Sequence, residues 1–325
     1  MNLLLAGDFE AAERDRWHAV LAQSMPQHHL VAADELFDRT RIEVAIVANP
    51  LPGSLRGLPR LRLIQSLWAG VEGLLDDDSV PSDVPIARMV DPALANAMAE
   101  TAVWAVLSLH RGFYAYQRQQ RLMLWRQLPQ LRADELPVTV LGLGATGAAC
   151  VRALAPLGYR ITAWTHSATP RDLPAGVVHV HGDEALFPCL RGSSIVINLL
   201  PLTPATRGLL DARFFAAMPR GAGLINLARG AHVVEADLRA ALGSGRLGHA
   251  VLDVFEREPL DPKHPFWRHP RVTVLPHAAA LSDPRSASPI EPQARELEPP
   301  RWLVRTMPAT PDAAAARAWA PRCVA

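Results

Sequence analysis

Pro137-Val138-Thr139-Val140-Leu141-Gly142-Leu143-Gly144-Ala145-Thr146-Gly147 is the stretch from which the fold is read. Val138 to Leu141 is a short apolar, β-branched run of the kind that forms a buried strand. It empties into Gly142-x-Gly144-x-x-Gly147, and Ala145 to Leu157 reads as a helix. Each glycine has a separate physical reason: a tight turn, close approach of backbone N–H groups to a pyrophosphate, and close packing of helix on strand. The helix N-terminus adds the positive end of a dipole. A bare glycine pattern is weak, because glycine-rich turns are common. With a strand before it and a helix after it, the pattern predicts a dinucleotide site over a structural turn.

Downstream, Tyr159 to Trp164 reads as the second strand. An NAD site usually places an acidic residue near this strand's end to bond the ribose 2′-hydroxyl. Here Trp164-Thr165-His166-Ser167 stands instead. That stretch has no carboxylate to repel a 2′-phosphate, and Thr165, His166 and Ser167 can donate hydrogen bonds to one. The usual arginine is missing unless Arg171 reaches back. NADP is therefore the expected cofactor, with NAD as an alternative. Further strands are expected at Val177–Val180, Ser194–Leu200, Gly223–Leu227, His249–Val254 and Val272–Leu275, with helices at Ala212–Met218 and Glu235–Leu242. Together these units predict a doubly wound dinucleotide-binding domain.

Upstream, Asn2–Ala6, Glu43–Ala48, Leu61–Leu67 and Ile86–Val90 are short apolar runs of strand type. Ala11–Ser24 carries Trp17, Val20 and Leu21 at helical spacing, so a smaller parallel-sheet domain is expected here. Its third strand breaks at Trp68-Ala69-Gly70-Val71. Ligands of open α/β sheets gather at such strand ends, although a plain turn reads equally well from spacing. Asp91-Pro92 is a helix start, and Ala93 to about His110 is long enough to bridge two domains. Arg111–Gln130 is rich in Arg, Gln and Tyr and reads as a solvated or subunit-facing segment in preference to a nucleic-acid patch.

Composition narrows the class. A chain of 325 residues exceeds one ordinary core and suggests two domains. It is 49% hydrophobic and 20% charged with net charge +1, so nothing draws it to nucleic acid or to an anionic membrane. Cys150, Cys189 and Cys323 have no metal-type spacing, no metal is expected, and a reducing cytoplasm fits. The run Leu3–Ala6 is interrupted by Asp8 and Glu10 and reads as a domain edge, not as a signal peptide. Ala93–Leu109 carries Asn96, Glu100, Thr101 and Ser108 and reads as no membrane span.

Three strand ends carry chemistry: Arg229 in Asn226-Leu-Ala-Arg-Gly230, Glu258 in Asp253-Val-Phe-Glu-Arg-Glu-Pro-Leu260, and His277 in Pro276-His-Ala-Ala279. A lone histidine after a strand is more often structural. Arginine, glutamate and histidine on successive strand ends of one nucleotide-binding sheet are a less ordinary coincidence.

With Leu67-Trp-Ala-Gly-Val71, Leu141-Gly-Leu-Gly-Ala-Thr-Gly147 and Asn198-Leu-Leu-Pro-Leu-Thr-Pro204, these motifs make a specific set. From the first strand to about Leu281 the chain resembles the D-isomer-specific 2-hydroxyacid dehydrogenases, most closely the glyoxylate/hydroxypyruvate reductase A type. The resemblance implies a flavodoxin-like substrate domain at 1–95, a Rossmann domain at 96–281, and an active site in the cleft between them. It also implies a homodimer and reduction of a 2-oxo acid by hydride from NAD(P)H. His277 would be the proton donor, since free imidazole titrates at a pKa of about 6.5. Glu258 would orient it, and a neighbouring carboxylate favours the cationic imidazole. Arg229 would bind the substrate carboxylate and polarise the carbonyl. Ala69, Gly70 and Val71 would offer backbone amides to the carboxylate, with Trp68 walling the pocket. Gly142, Gly144, Ala145, Thr146, Gly147, Thr165, His166, Leu200, Pro201, Leu227, Ala228, Asp253 and His277 would line the cofactor, Asp253 facing the nicotinamide carboxamide.

The tail departs from the family. Where relatives continue with an amphipathic helix, 282–325 carries recurrent prolines as far as Pro321. Proline costs roughly 3 kcal/mol inside a helix, so an atypical, mostly non-helical and poorly ordered tail is expected, as an altered reading frame near Leu281 would produce. A rival reading follows from it: a dinucleotide-binding regulator or a family member crippled in turnover. The intact Arg229, Glu258 and His277 favour the enzyme.

Overall fold

The computed structural model describes residues 1–68, 70–89, 92–168 and 172–280. The expected tail, Ala69 and Arg171 lie outside the described residues. The chain divides into two compact units, one within Met1–Asp91 and the other within Pro92–Ser282. Both are parallel-sheet α/β folds wound in two directions.

The first unit runs β1 (Asn2–Gly7), α1 (Ala11–Ser24), β2 (His29–Ala32), β3 (Val44–Ala48), β4 (Leu63–Ser66), α2 (Glu72–Leu75) and β5 (Ile86–Ala87). Its strands pair in parallel in the order β2-β1-β3-β4-β5, the flavodoxin-like winding. Side chains alternate across a strand. Leu3 and Leu5 therefore pack with Trp17, Leu21 and Ile46 on one face, while Leu4 and Ala6 pack with Val31, Val47 and Ile64 on the other. Helical spacing in α1 turns Trp17, Val20 and Leu21 inward as expected. The sequence reading passes over β2, because this short edge strand is half exposed and opens with a polar His29.

The second unit begins with α3 (Pro92–His110) and α4 (Phe113–Arg121), separated by Gly112 at φ +70°. There follow β6 (Val138–Leu141), α5 (Ala145–Leu154), β7 (Ile161–Thr165), β8 (Val178–His181), α6 (Asp183–Arg191), β9 (Ile195–Asn198), α7 (Ala212–Ala217), β10 (Ala222–Asn226), α8 (Glu235–Gly243), β11 (Leu247–Leu252) and β12 (Val272–Val274). The order β12-β11-β10-β9-β6-β7-β8 is all parallel. Winding reverses between β6 and β9, where such sheets bind ligands.

One face of this sheet is covered by α3 and α5, with Ala95, Ala99, Ala102, Ala105 and Val106 of α3 buried against Val138, Val140 and Cys150. Small alanines permit that close approach. Phe214, Phe215, Leu238 and Leu242 cover the other face. Two local expectations change. The helix from Ala145 stops at Leu154 and tightens into a 3-10 turn over Ala155–Leu157, since Pro156 has no N–H for an α-helical bond; Gly158 ends it at φ +86°. The unexpected α6 forms despite Pro188 within it, and buries Leu186 and Leu190. Among the described residues no helix is long and apolar enough to cross a membrane.

Candidate active site

The glycine segment shows three separate uses of the missing Cβ. Gly142 has φ +95°, and a Cβ there would stand 2.9 Å from the Leu199 carbonyl oxygen. A Cβ on Gly147 would meet the Gly142 carbonyl oxygen at 2.0 Å, so α5 can leave β6 closely only with glycine. A Cβ on Gly144 would meet nothing within 4 Å. Gly144 and Ala145 are exposed, Thr146 is half-buried, and Leu143 is buried beneath them. An open backbone rim at the N-terminus of α5 fits a diphosphate, which needs N–H groups and no side chain in the way.

The neighbouring strand ends close around this rim. Leu200 follows β9 and is buried, its N–H bonded to Asn198 Oδ1 at 3.3 Å, while Pro201 is exposed. Leu227 and Ala228 follow β10 and are buried, with Ala228 N–H donating to Asn226 Oδ1 at 3.3 Å. At the end of β7, Thr165 Oγ1 lies 2.7 Å from His179 Nε2 and donates to the Ser167 carbonyl. His166 Nδ1 lies 2.8 Å from Asp183 Oδ1, and both side chains are exposed. Residues 165–167 contain no carboxylate, as read from the sequence, yet α6 brings Asp183 to that strand end. The signal for it was hidden, because α6 itself was not expected.

Arg229, Glu258 and His277 stand beyond β10, β11 and β12. The turn after β10 presses on the one after β11: a Cβ on Gly230 would lie 1.9 Å from the Phe255 carbonyl carbon. Gly230, which the sequence reading did not single out, thus fixes the separation of those two loops. Arg229 is half-buried, and its Nη1 donates to the Ala228 carbonyl at 2.7 Å. Glu258 Oε1 accepts the Phe255 N–H at 2.8 Å, and its Oε2 lies 2.6 Å from His277 Nδ1. The carboxylate is therefore oriented from both sides. His277 is 52% exposed at its side chain.

His277 adopts φ +53°, a conformation that few non-glycine residues take without support. Asp253 supplies that support. Its carbonyl accepts the His277 N–H at 2.8 Å, and its carboxylate accepts Ala278 N–H at 2.7 Å and Ala279 N–H at 3.0 Å. Asp253 is only 1% exposed. Burial pushes its carboxyl above the usual carboxylate range, against the lowering effect of those two N–H donors. Sequence reading also missed the buried Asn198, Asn226 and His232, which bond to one another beneath Arg229. For Asn198 and Asn226 the only signal was a polar residue ending an apolar strand, and His232, in the turn after β10, gave none.

In the first unit, the segment after β4 is tied down through its backbone. Ser66 Oγ accepts the Trp68 N–H at 3.1 Å, and the Trp68 carbonyl accepts the Met89 N–H at 3.1 Å. Trp68, Gly70 and Val71 are half-buried, and the Val71 carbonyl receives N–H groups from the first turn of α2.

Comparison with known proteins gives the family. A sequence model of the family described as D-isomer specific 2-hydroxyacid dehydrogenase, NAD binding domain, matches residues 103–279. The glyoxylate/hydroxypyruvate reductase A of Serratia proteamaculans is 39% identical over 292 residues, 88% of this chain and 91% of that protein. A D-isomer specific 2-hydroxyacid dehydrogenase from Xanthobacter autotrophicus Py2, solved with NADPH and MES, superposes with a TM-score of 0.79. It shows 39% identity and covers 88% of this chain and 90% of its own. An NADPH-dependent glyoxylate/hydroxypyruvate reductase from Sinorhizobium meliloti, solved with NADP and sulfate, gives a TM-score of 0.76 at 34% identity, covering 86% and 89%. With the family model spanning more than half of the chain, and a relative 39% identical over 88% of it, the chain belongs to the D-isomer-specific 2-hydroxyacid dehydrogenases.

Proposed function

We propose that this chain reduces 2-oxo acids of the glyoxylate and hydroxypyruvate type to 2-hydroxy acids, with NADPH preferred and NADH accepted. The carrying observation is the Glu258–His277 pair at 2.6 Å beside the Arg229 strand end of a glycine-loop sheet. The NADPH- and NADP-bound relatives support the choice of cofactor. Bound NADPH supplies the hydride that the substrate carbonyl carbon receives.

The rest falls to the chain's own side chains. Amides of Gly142–Gly147 and the N-terminus of α5 hold the pyrophosphate, and Thr165 and His166 meet the 2′-phosphate. Leu200, Pro201, Leu227 and Ala228 line the nicotinamide side, and Asp253 takes the carboxamide on lone pairs left beyond its two N–H bonds. Arg229 clamps the substrate carboxylate with two parallel N–H donors and presents positive charge where the carbonyl oxygen becomes negative. His277 delivers the proton to that oxygen from Nε2, because Nδ1 is engaged by Glu258. Amides at Ala69, Gly70 and Val71 take the remaining carboxylate oxygen, and Trp68 limits the size of the substrate.

Domains of 1–95 and 96–281 carry these two roles. The chain acts as a cytoplasmic homodimer that uses neither nucleic acid nor membrane. Exposed Trp104, Phe113, Met123, Leu124 and Trp125 on and after α3 and α4 support self-association, and the free thiols Cys150 and Cys189 support a reducing compartment. NADPH oxidation with glyoxylate, hydroxypyruvate and pyruvate, run beside light scattering for the mass in solution, tests the reading. Turnover of the first two by a dimer is expected; saturable NADPH binding without any turnover would overturn it.

A further inference from the structure

Beneath Arg229 lies a histidine that the mechanism above does not use. His232 closes the 3-10 turn Gly230–His232 after β10 and is 0% exposed. Both ring nitrogens are engaged. Nε2 lies 3.2 Å from the Pro201 carbonyl oxygen, and Nδ1 lies 3.1 Å from Asn198 Nδ2 and 3.2 Å from the Arg229 carbonyl oxygen.

The surrounding amides determine which nitrogen carries the proton. Asn198 Oδ1 accepts the Leu200 N–H at 3.3 Å, so Asn198 Nδ2 is the end that faces the ring. That Nδ2 has two hydrogens; one goes to Asn226 Oδ1 at 3.0 Å and the other is directed at His232 Nδ1. Asn226 Nδ2 in turn donates to the Arg229 carbonyl at 3.1 Å. His232 Nδ1 is thus an acceptor, and Nε2–H donates to Pro201. The neutral imidazole therefore bonds the loop 198–201, at the switch point beside Gly142, through both ring nitrogens, while the His232 backbone N–H donates to the Arg229 carbonyl at 3.3 Å; the approach of Nδ1 to that carbonyl is a contact without a hydrogen bond.

We propose that His232 is a positioning residue that ties the cofactor-lining segment Leu200–Pro201 to the backbone of Arg229, so that the cofactor and the substrate carboxylate keep one spacing. This rests on the roles proposed above for Pro201 and Arg229. Two segments without a bond between them can shift independently, and small misplacements of reacting groups are expensive in rate. A buried scaffold with every polar atom paired removes that freedom, because leaving any one of them orphaned carries a desolvation penalty.

Three substitutions separate the two ends of the ring. His232→Leu removes both. His232→Asn keeps an acceptor near Nδ1 for Asn198 but cannot reach Pro201, and His232→Gln restores an amide N–H at the Pro201 end. NADPH dissociation constants are measured by fluorescence titration, KM and kcat with glyoxylate, and melting temperatures alongside.

His232→Leu should weaken NADPH and raise the glyoxylate KM by about tenfold each, the scale of one or two lost hydrogen bonds. His232→Asn should weaken NADPH more than glyoxylate, and His232→Gln should hold NADPH within about twofold of wild type. If the leucine variant does not fold, the asparagine and glutamine variants decide alone. A lowered melting temperature with unchanged NADPH dissociation constants and unchanged glyoxylate KM in these variants would overturn the proposal. A wild-type chain that binds NADPH without reducing glyoxylate sinks the proposed activity alone, since the NADPH titration still reads the tie.

Discussion

The two sheets are wound by the same rule and differ in what stands beyond their strands. In the five-stranded sheet, the buried polar side chains Gln65 and Ser66 close β4 and hold a neutral, glycine-containing turn. In the seven-stranded sheet, Asn198, Asn226 and Asp253 close or follow β9, β10 and β11 and hold loops that carry Arg229 and His277. In both, the polar scaffold is buried and paired. The difference lies in the cargo: backbone N–H groups alone in one, ionisable side chains in the other. A neutral turn can cradle a carboxylate with its N–H groups, but only loops that carry ionisable side chains can move a proton.

The largest expected effect breaks that contrast at its charged end. His277→Ala should lower kcat by about 10²-fold or more with NADPH binding kept, the usual scale for losing a general acid. Near-normal turnover would place the proton donor elsewhere and leave the two sheets alike.

Next comes a half-buried histidine that serves no loop. His249 on β11 stacks on Tyr114, with ring centroids 4.2 Å apart, and its Nε2 lies 2.9 Å from Thr273 Oγ1. Burial pushes His249 down to about 4. The unfolded chain takes up this proton below its ordinary pKa of about 6.5, whereas the folded chain resists until the lower value. Its contribution is therefore complete above the unfolded pKa and is lost as the pH falls through the window between the two. Urea unfolding should give about 2 kcal/mol less stability at about pH 5 than at about pH 7 from this group. His249→Gln should flatten that slope. An equally steep slope in the variant would assign the acid sensitivity to other groups.

Smaller still is the cofactor shift. His166→Asp should add repulsion against a 2′-phosphate and move the NADPH/NADH ratio of kcat/KM toward NADH by about tenfold. A wild-type ratio already favouring NADH would show that Asp183, beside His166, governs this strand end. The smallest effect sharpens the neutral side. Ser66→Ala removes the acceptor of the Trp68 N–H and should raise the glyoxylate KM by about two- to threefold at unchanged kcat. A change in kcat alone would mean that the turn takes part in chemistry.

Much of this was legible before any coordinates. Continuous apolar runs such as Val44–Ala48 announce strands covered on both faces, and the glycine spacing announces the loop at the end of β6. Among the elements that escaped, β2 and α6 are those whose local signals conflict with their fate: an edge strand opening with His29 and a helix containing Pro188. Buried packing of Val31, Leu186 and Leu190 decided both.

By itself the sequence determined the local chemistry: which segments alternate or run apolar, where glycine is required, and that arginine, glutamate and histidine each follow a strand. Those are properties of neighbours along the chain. Only the tertiary structure decided which neighbours meet across it. Parallel pairing places β9 against β6 and thereby sets Leu199 against Gly142; the packing of Gly230 on Phe255 fixes the Arg229 loop beside the Glu258 loop. The pairing of Asp183 with His166, of Asp253 with Ala278 and Ala279, and of His232 with Asn198 and Pro201 belongs to the same class. Each joins polar groups far apart in sequence, selected because a buried donor or acceptor must find a partner wherever the close-packed fold brings one within reach.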